Sequence, residues 1–189
     1  MFNLFKNLFK DSFLELKKTK TIVICGLLLA ISLMLNTQSI KIEGVTIITF
    51  SFIANSIAGF LFGPIPAAML GGLTDVLTHI MNPKGAYFFG FTFNAILGGL
   101  FYGLFLYKKV YDLKKLVIRI IFCKLTISII ISFVLGTIWL SMISGKGFLV
   151  LLPARVFKEC FIVPIHCIVM YIVLKTVNKV YNQLNLDIK

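Results

Sequence analysis

Long apolar runs separated by short polar or glycine-proline breaks dominate this sequence. They predict six helical spans, at about residues 21–38, 47–62, 65–81, 89–107, 120–143 and 149–175. Several runs approach the roughly 20 apolar residues that a membrane-crossing helix needs, although the second and third are short and are separated only by Gly63-Pro64. The alternation of apolar and polar residues that is typical of a membrane β-barrel is absent. The pattern therefore predicts an all-α membrane protein.

The composition favours the same class. The chain is 59% hydrophobic and 14% charged, whereas soluble domains are usually about a quarter charged. The formal net charge of +12 comes from lysines beside apolar runs, which is typical of membrane orientation and not of a nucleic-acid interface. The four cysteines lie in apolar segments without metal-ligand spacing. We therefore expect free thiols, and no metal or cofactor.

The distribution of lysines predicts the orientation. Five lysines precede the first apolar run and further groups follow the fourth and sixth runs, whereas the opposite loops hold only Lys41, Lys84 and Lys146. The positive-inside rule places both termini in the cytoplasm. The predicted organisation is a basic amphipathic cytoplasmic segment at 1–19, a six-helix transmembrane domain at 20–181 and a cytoplasmic tail at 182–189.

A few polar residues interrupt the apolar stretch at residues 50–107. Asp75 lies six residues before the outer end of the third span, at a depth of roughly 9 Å, and Asn94 lies at a similar depth on the fourth. The short connection makes these helices antiparallel neighbours, so we expect Asp75 and Asn94 to meet, with His79 one turn above Asp75. Polar groups in lipid are costly and usually face a cavity or a partner.

The last two spans add further polar groups in the outer half of the membrane. Arg155 lies just below the outer surface, with Lys158 and Glu159 a turn deeper, and Trp139 and Lys146 are near the same side. The inner half is predicted to be nearly free of polar side chains. Arg119 and Lys124 are expected to extend their long stems to the inner headgroups, without a functional role.

Each of these residues also has a structural interpretation. Arg155 and Glu159 are four residues apart and can neutralise each other, and Asp75 can cap a helix or pair with His79. Trp139 suits an interfacial belt, Lys146 a solvated loop, and Phe88, Phe89 and Phe91 a packed core. These separate interpretations do not explain why all the polar groups face one side of the membrane.

The joint placement favours a small-molecule site open to the outside. Cations near its mouth suit an anion, an acid and an amide suit a heterocycle with adjacent donors and acceptors, and aromatic rings offer stacking faces. An anionic molecule with a flat polar ring, such as folate, fits all three. No nucleophile triad, nucleotide-binding loop or metal-protease motif is present, so the sequence does not favour an enzyme or an ATPase.

Small residues recur at four-residue spacing on three of the spans, a pattern that lets helices approach closely. The pairs Ala54/Ala58 and Gly99/Gly103 are predicted to pack inside the protein. Gly26 and Ala30, near the cytoplasmic end of the first span, also suit an external partner.

Two segments resemble a known family of membrane proteins. They are FSFIANSIAGFLFGPIPAAMLGGLTDVLTHIMNPKGAYFFGFTFNAILGGLFYGLFLY at residues 50–107 and GTIWLSMISGKGFLVLLPARVFK at residues 136–158. The FGP turn, the G-x-x-D step, the GAYFFGFT loop, the TxWLSxxxGK segment and LPAR carry the likeness. The chain resembles the substrate-binding (S) components of energy-coupling factor vitamin transporters, most closely the folate-specific members.

The resemblance implies a six-helix subunit in a bacterial cell membrane that binds its vitamin from outside and works with a membrane coupling subunit and two ATPases. Gly26 and Ala30 match the family's A-x-x-x-A docking motif, with glycine in place of the first alanine. Lys146 and Arg155 become candidates for the glutamate carboxylates of folate, and Asp75 and Asn94, with His79 nearby, for its pterin. The stacking candidates are Phe88, Phe91 and Trp139. The alternative is an S component for a different vitamin or heterocyclic micronutrient, because the scaffold is shared while the pocket differs.

Overall fold

A computed structural model describes residues 2–37, 40–42, 46–48, 50–83, 87–107 and 113–183 of the chain. Apart from short connections, these residues form helices and two three-residue strands that pair antiparallel, with Ile40 opposite Ile48. In chain order the elements are α1 Phe2–Glu15, α2 Thr19–Thr37, β1 Ile40–Ile42, β2 Thr46–Ile48, α3 Phe52–Phe62, α4 Pro64–Met81, α5 Phe89–Leu106, α6 Leu113–Ile127, a π-helical segment Ser128–Leu135, α7 Gly136–Ser144 and α8 Phe148–Gln183. Four lysines that contribute to the predicted orientation lie outside the described residues: Lys84, Lys108, Lys109 and Lys189.

Four helical stretches of the described chain are long and apolar enough to cross a membrane. They are Thr19–Asn36, Phe89–Leu106, Lys115–Ser144 and Phe148–Tyr181, and Phe52–Phe62 is a shorter apolar helix. α4 makes a sixth helix in the order expected, and the all-helical membrane architecture is confirmed. The count of six membrane crossings and the cytoplasmic location of both termini stay predictions.

The second predicted span begins differently. Residues 47 and 48 belong to β2, and α3 starts only at Phe52. The reason is local, because β-branched residues such as Thr46, Ile47 and Ile48 favour strands and a partner strand lies a few residues upstream. The fifth predicted span, in contrast, is longer than expected, since its helix begins at Leu113 and continues through the π-helical segment to Ser144.

Small residues allow α3, α4 and α5 to pack closely. Ala54 and Ala58 are fully buried on α3, and both predicted glycines of α5 are buried. A side chain at Gly99 would collide with the Ala67 carbonyl oxygen of α4, and one at Gly103 would collide with the backbone of Pro64. The prediction that these two pairs serve internal packing is confirmed.

Replacing Gly99 with alanine is expected to lower the apparent Tm of the detergent-purified protein. The added methyl group must push α4 and α5 apart, and such overpacking typically costs about 1–3 kcal/mol. The neighbouring Gly98 supplies a matched control, because a Cβ there would lie 3.8 Å from Ile131 Cδ1 and alanine is a better helix former than glycine by roughly 1 kcal/mol. Gly98→Ala should therefore leave the Tm unchanged or raise it. Equal Tm changes in the two variants would contradict this helix contact.

The predicted amphipathic segment forms a helix, α1, which is anchored to the rest of the protein through Ser12. Ser12 Oγ donates to the Phe62 carbonyl oxygen at 3.0 Å and accepts from the Ile65 backbone N–H at 3.0 Å. Between these residues Gly63 has φ +92°, a conformation that favours glycine. α1 therefore packs against the tight turn between α3 and α4 and is bonded to both sides of it. Its cytoplasmic location stays a prediction.

Candidate functional site

A cavity of about 420 Å³ lies between α5, the continuous helix of α6, the π-helical segment and α7, and α8. Its polar wall consists of Asn94, Lys124, Ser128, Ser132, Arg155, Lys158, Glu159 and His166, and Phe91, Ile127, Ile131, Ile162 and Val163 are among its apolar wall residues. Among the described residues of this wall, three cationic side chains face a single carboxylate. The cavity is therefore suited to an anion that also has an apolar or aromatic part.

The π-helical segment shapes one side of this cavity. Ser128 Oγ and Ser132 Oγ donate to the two oxygens of Glu159, at 3.0 and 2.7 Å. Arg155 Nη1 donates to the Ser132 carbonyl oxygen at 3.1 Å. A π-helical turn disturbs the regular hydrogen-bond ladder and is frequent at functional sites.

The arginine and the glutamate do not form a direct ion pair. Although Arg155 and Glu159 are four residues apart on α8, both use partners on the facing helix, and no ion pair joins these two described side chains. The guanidinium reaches across because Gly136 has no side chain, and a Cβ there would lie 2.6 Å from Arg155 Nη1. The two charges still attract each other through space, but the direct ion pair that the four-residue spacing allows does not form.

Lys124 lies at the deep end of the cavity, where its side chain is only 4% exposed. Its Nζ donates to the Tyr102 hydroxyl at 2.6 Å, lies 3.3 Å from His166 Nδ1 and sits 4.5 Å from the ring centroid of Phe52. The prediction that Lys124 extends to the inner headgroups is therefore wrong, and polar groups continue deeper into the protein than expected. Lys124 follows Ile120 by four residues, so the two share one helix face, but only the structure shows that this face is buried.

Asp75 and Asn94 are held by different partners. Thr92 Oγ1 donates to Asp75 Oδ2 at 2.7 Å and lies 2.5 Å from the Tyr87 hydroxyl. Asn94 Oδ1 instead accepts from Trp139 Nε1 at 3.2 Å. Two residues along a helix turn by about 200°, so Thr92 and Asn94 face opposite sides of α5 and only Asn94 faces the cavity. The expected meeting of Asp75 with Asn94 does not occur.

His79 also lies away from the cavity wall. Its ring centroid is 5.1 Å from that of Tyr87, which links it to the group around Asp75. Asn36 reaches the same end of α4, where its Nδ2 donates to Thr78 Oγ1 at 3.0 Å. This polar cluster joins the C-terminal ends of α2 and α4 to the start of α5 and so positions that start.

The aromatic candidates form one group beside the cavity. Phe88 and Trp139 have ring centroids 5.7 Å apart, and Phe88 and Phe91 meet edge to face at 6.0 Å. Gly90 makes room for the indole, since a Cβ at this position would lie 2.7 Å from Trp139 Cδ2. Phe91 lines the cavity. Trp139 is not part of the cavity wall, but its hydrogen bond holds Asn94, which is.

Lys146 lies apart from the other basic candidates. It is exposed in the connection between α7 and α8, where its backbone carbonyl accepts from Ser141 Oγ at 2.7 Å. It does not belong to the cavity wall, whereas Arg155 and Lys158 do. The described residues contain no group of three or more metal-binding side chains.

Gly26 and Ala30 are exposed on α2. Gly26 lies on an apolar groove of about 420 Å³ between α2 and α4, and a Cβ at this glycine would meet nothing within 4 Å. The groove is lined by Leu16, Ile22, Cys25, Gly26, Leu29, Pro66, Met69, Leu70 and Leu73. This surface presents a wide apolar face that the described part of the chain does not cover.

Comparison with known proteins adds independent information. Residues 20–174 match the sequence profile of the family described as ECF transporter, substrate-specific component. The chain is 38% identical over 132 residues to a protein named folate transporter FolT from Clostridium novyi (strain NT), covering 70% of this chain and 74% of that relative. A protein of the same name from Leuconostoc mesenteroides is 28% identical over 162 residues, covering 82% of this chain and 85% of the relative. A crystal structure described as FolT bound with folic acid superposes with a TM-score of 0.71 at 33% identity, covering 82% of this chain and 91% of that one.

Proposed function

The chain belongs to the family of substrate-specific components of ECF transporters, and from this premise we propose that it binds folate from outside the cell for import. It is a multi-pass membrane protein, and the proposed location is a bacterial cell membrane. In this role the chain itself performs no chemistry on its ligand. The energy for import comes from partner subunits, proposed to be one membrane coupling subunit and two ATPases.

The cationic cavity carries the proposal. Folate joins a flat pterin and a benzoyl ring to a glutamate with two carboxylates, so it needs cations at one end and polar and aromatic groups at the other. Arg155 and Lys158 lie towards the outer end of α8, and we assign them to the glutamate carboxylates because charge-assisted hydrogen bonds are the strongest available here. Phe91 supplies an apolar wall against which a flat ring can pack.

The other candidate residues are proposed to act around this cavity. Asn94 contributes its amide to the wall, and Trp139 and Phe88 hold that amide and Phe91 in place. Asp75 and His79 support the start of α5 through Thr92 and Tyr87, so their contribution is to position Phe91 and Asn94. Lys146, exposed at the outer connection, is proposed to attract the anionic ligand towards the mouth through its long-range charge.

The proposed docking surface is the apolar groove that contains Gly26. An exposed apolar patch of this kind often marks a contact with another protein, and small residues such as Gly26 and Ala30 let a partner helix approach closely. We propose that the coupling subunit packs here. With six spans and both termini in the cytoplasm, the basic α1 would lie beside this groove on the side of the ATPases.

The function is tested by fluorescence titration of the detergent-purified protein with folic acid. The chain has one tryptophan, and Trp139 donates to Asn94, a cavity-wall residue. Saturable quenching is therefore expected at nanomolar folic acid, and no quenching with thiamine, riboflavin or biotin. The variant Trp139→Phe should lose the signal but still bind folic acid in a label-free calorimetric assay. Absence of binding in both assays would contradict the folate assignment and favour another vitamin for the same scaffold.

A further inference from the structure

We propose that Glu159 is the specificity-determining residue for the heterocycle, and that its carboxylate accepts the adjacent N–H donors of the 2-amino-4-oxopteridine edge. This inference rests on the proposed function and names the subsite within the same cavity. The glutamate arm then lies nearer to Arg155 and Lys158, and the pterin enters the deeper part of the cavity.

The first argument is the state of the carboxylate itself. Glu159 is the only acid among the described residues of the cavity wall, and each of its oxygens accepts one serine hydroxyl, from Ser128 and Ser132. A carboxylate offers about four acceptor positions, so each oxygen retains capacity for a second donor. The two serines orient the carboxylate but leave part of its hydrogen-bonding capacity unused.

The second argument is that no cation among the described wall residues donates a hydrogen bond to this carboxylate, although the three cations attract it through space. Arg155 donates to the Ser132 carbonyl oxygen instead, and Lys124 donates to Tyr102. A carboxylate kept inside a membrane protein is expensive and usually has a functional partner. The ring N3–H and the 2-amino group of a pterin lie side by side, so they match two carboxylate oxygens in the bidentate way that a guanidinium does.

The deep end of the cavity holds a further polar pair, Lys124 and His166. Since the ammonium group of Lys124 can only donate, His166 Nδ1 accepts from it at 3.3 Å, and this assigns the ring proton to Nε2. The Nε2 atom is buried and has no hydrogen-bond partner among the described residues. His166 lies seven residues, or about 10 Å, beyond Glu159 along α8. Because this Nε2–H is buried, we place His166 beside the proposed contact, and the contact itself rests on Glu159.

The test compares two ligands on two proteins by calorimetry. One ligand is folic acid, and the other is its analogue in which a methyl group replaces the 2-amino group. The substitution Glu159→Gln should weaken binding of folic acid at least about tenfold, since hydrogen bonds to a charged group are lost, but should change binding of the analogue less than about threefold. Loss of the negative charge alters the attraction for the glutamate arm equally for both ligands, so the ratio isolates the contact to the ring.

Two further variants keep the result interpretable. Cys160→Ser changes the exposed neighbour of Glu159 and should leave both affinities unchanged. If Glu159→Gln is not recovered as a monodisperse protein, the double variant Ser128→Ala, Ser132→Ala releases the carboxylate and should reduce the preference for folic acid over the analogue.

The outcomes separate this inference from the proposed function. An equal loss for both ligands in the glutamate variant would give Glu159 a structural role and overturn the inference, as would equal affinities of the unaltered protein for the two ligands. Failure of the unaltered protein to bind folic acid at all would overturn the proposed function together with this subsite.

Discussion

The affinity for folic acid is expected to fall by about 100-fold when Arg155 and Lys158 are both replaced by methionine. Both side chains line the cavity, and removal of a cation that binds a desolvated carboxylate typically costs about 2–5 kcal/mol. Methionine keeps most of the length and apolar character of the original side chains. The affinity is measured by calorimetry on the detergent-purified double variant and on the unaltered protein.

A pterin without the benzoylglutamate arm provides the ligand control, because it lacks the carboxylates and should lose much less affinity. Lys146→Met provides the protein control. Lys146 carries the same charge as Lys158 but is exposed and outside the cavity wall, so its replacement should change the affinity less than about threefold. Equal losses for the two ligands would indicate that the cations support the structure of the site and do not bind carboxylates.

Folate uptake is expected to fall to background when Gly26 is replaced by tryptophan, while folate binding stays within about twofold of the unaltered protein. A Cβ at this exposed glycine meets nothing within 4 Å, so the larger side chain is expected to leave the fold intact. It fills the groove between α2 and α4, where the coupling subunit is proposed to pack, and a close helix contact does not tolerate such a volume. Uptake of radiolabelled folate by cells that produce the whole transporter measures the effect.

The control is Ile172→Trp, an equally large apolar substitution at an exposed position of α8. The Ile172→Trp protein should insert into the membrane normally and support normal folate uptake. Normal uptake by the Gly26 variant would place the docking surface elsewhere. Loss of uptake in both variants, together with loss of folate binding, would indicate a general defect in membrane insertion.

The wrong predictions about Asp75 with Asn94 and about Lys124 have two different physical causes. Depth along a helix follows from sequence position, but the direction in which a side chain points depends on how the helix is rotated against its neighbours. Asp75 and Asn94 have similar predicted depths, yet Thr92 contacts the former and Trp139 the latter. Lys124 was expected near the headgroups because it is close to the predicted start of a span, but the helix begins earlier, at Leu113, and places it in the interior.

The hydrophobic pattern does not predict local backbone geometry either. The π-helical segment Ser128–Leu135 has the same apolar composition as an α-helix, and it becomes distinct only when Glu159 and Arg155 of α8 contact Ser128 and Ser132. Likewise, the β-branched residues before α3 form a strand because a second strand pairs with them.

The sequence by itself determined the membrane class, the order of the helices, the tight turn at Gly63 and the interior packing of the small residues on α3 and α5. These features depend on hydrophobicity, chain length and side-chain size, which are properties of each segment alone. The tertiary structure alone decided which polar groups share a cavity: Lys124, Arg155, Glu159 and His166 meet there, whereas Asp75, His79 and Lys146 do not line it. The physical reason is that a binding site is made by helix rotation and helix contact, and both arise only when the segments pack together.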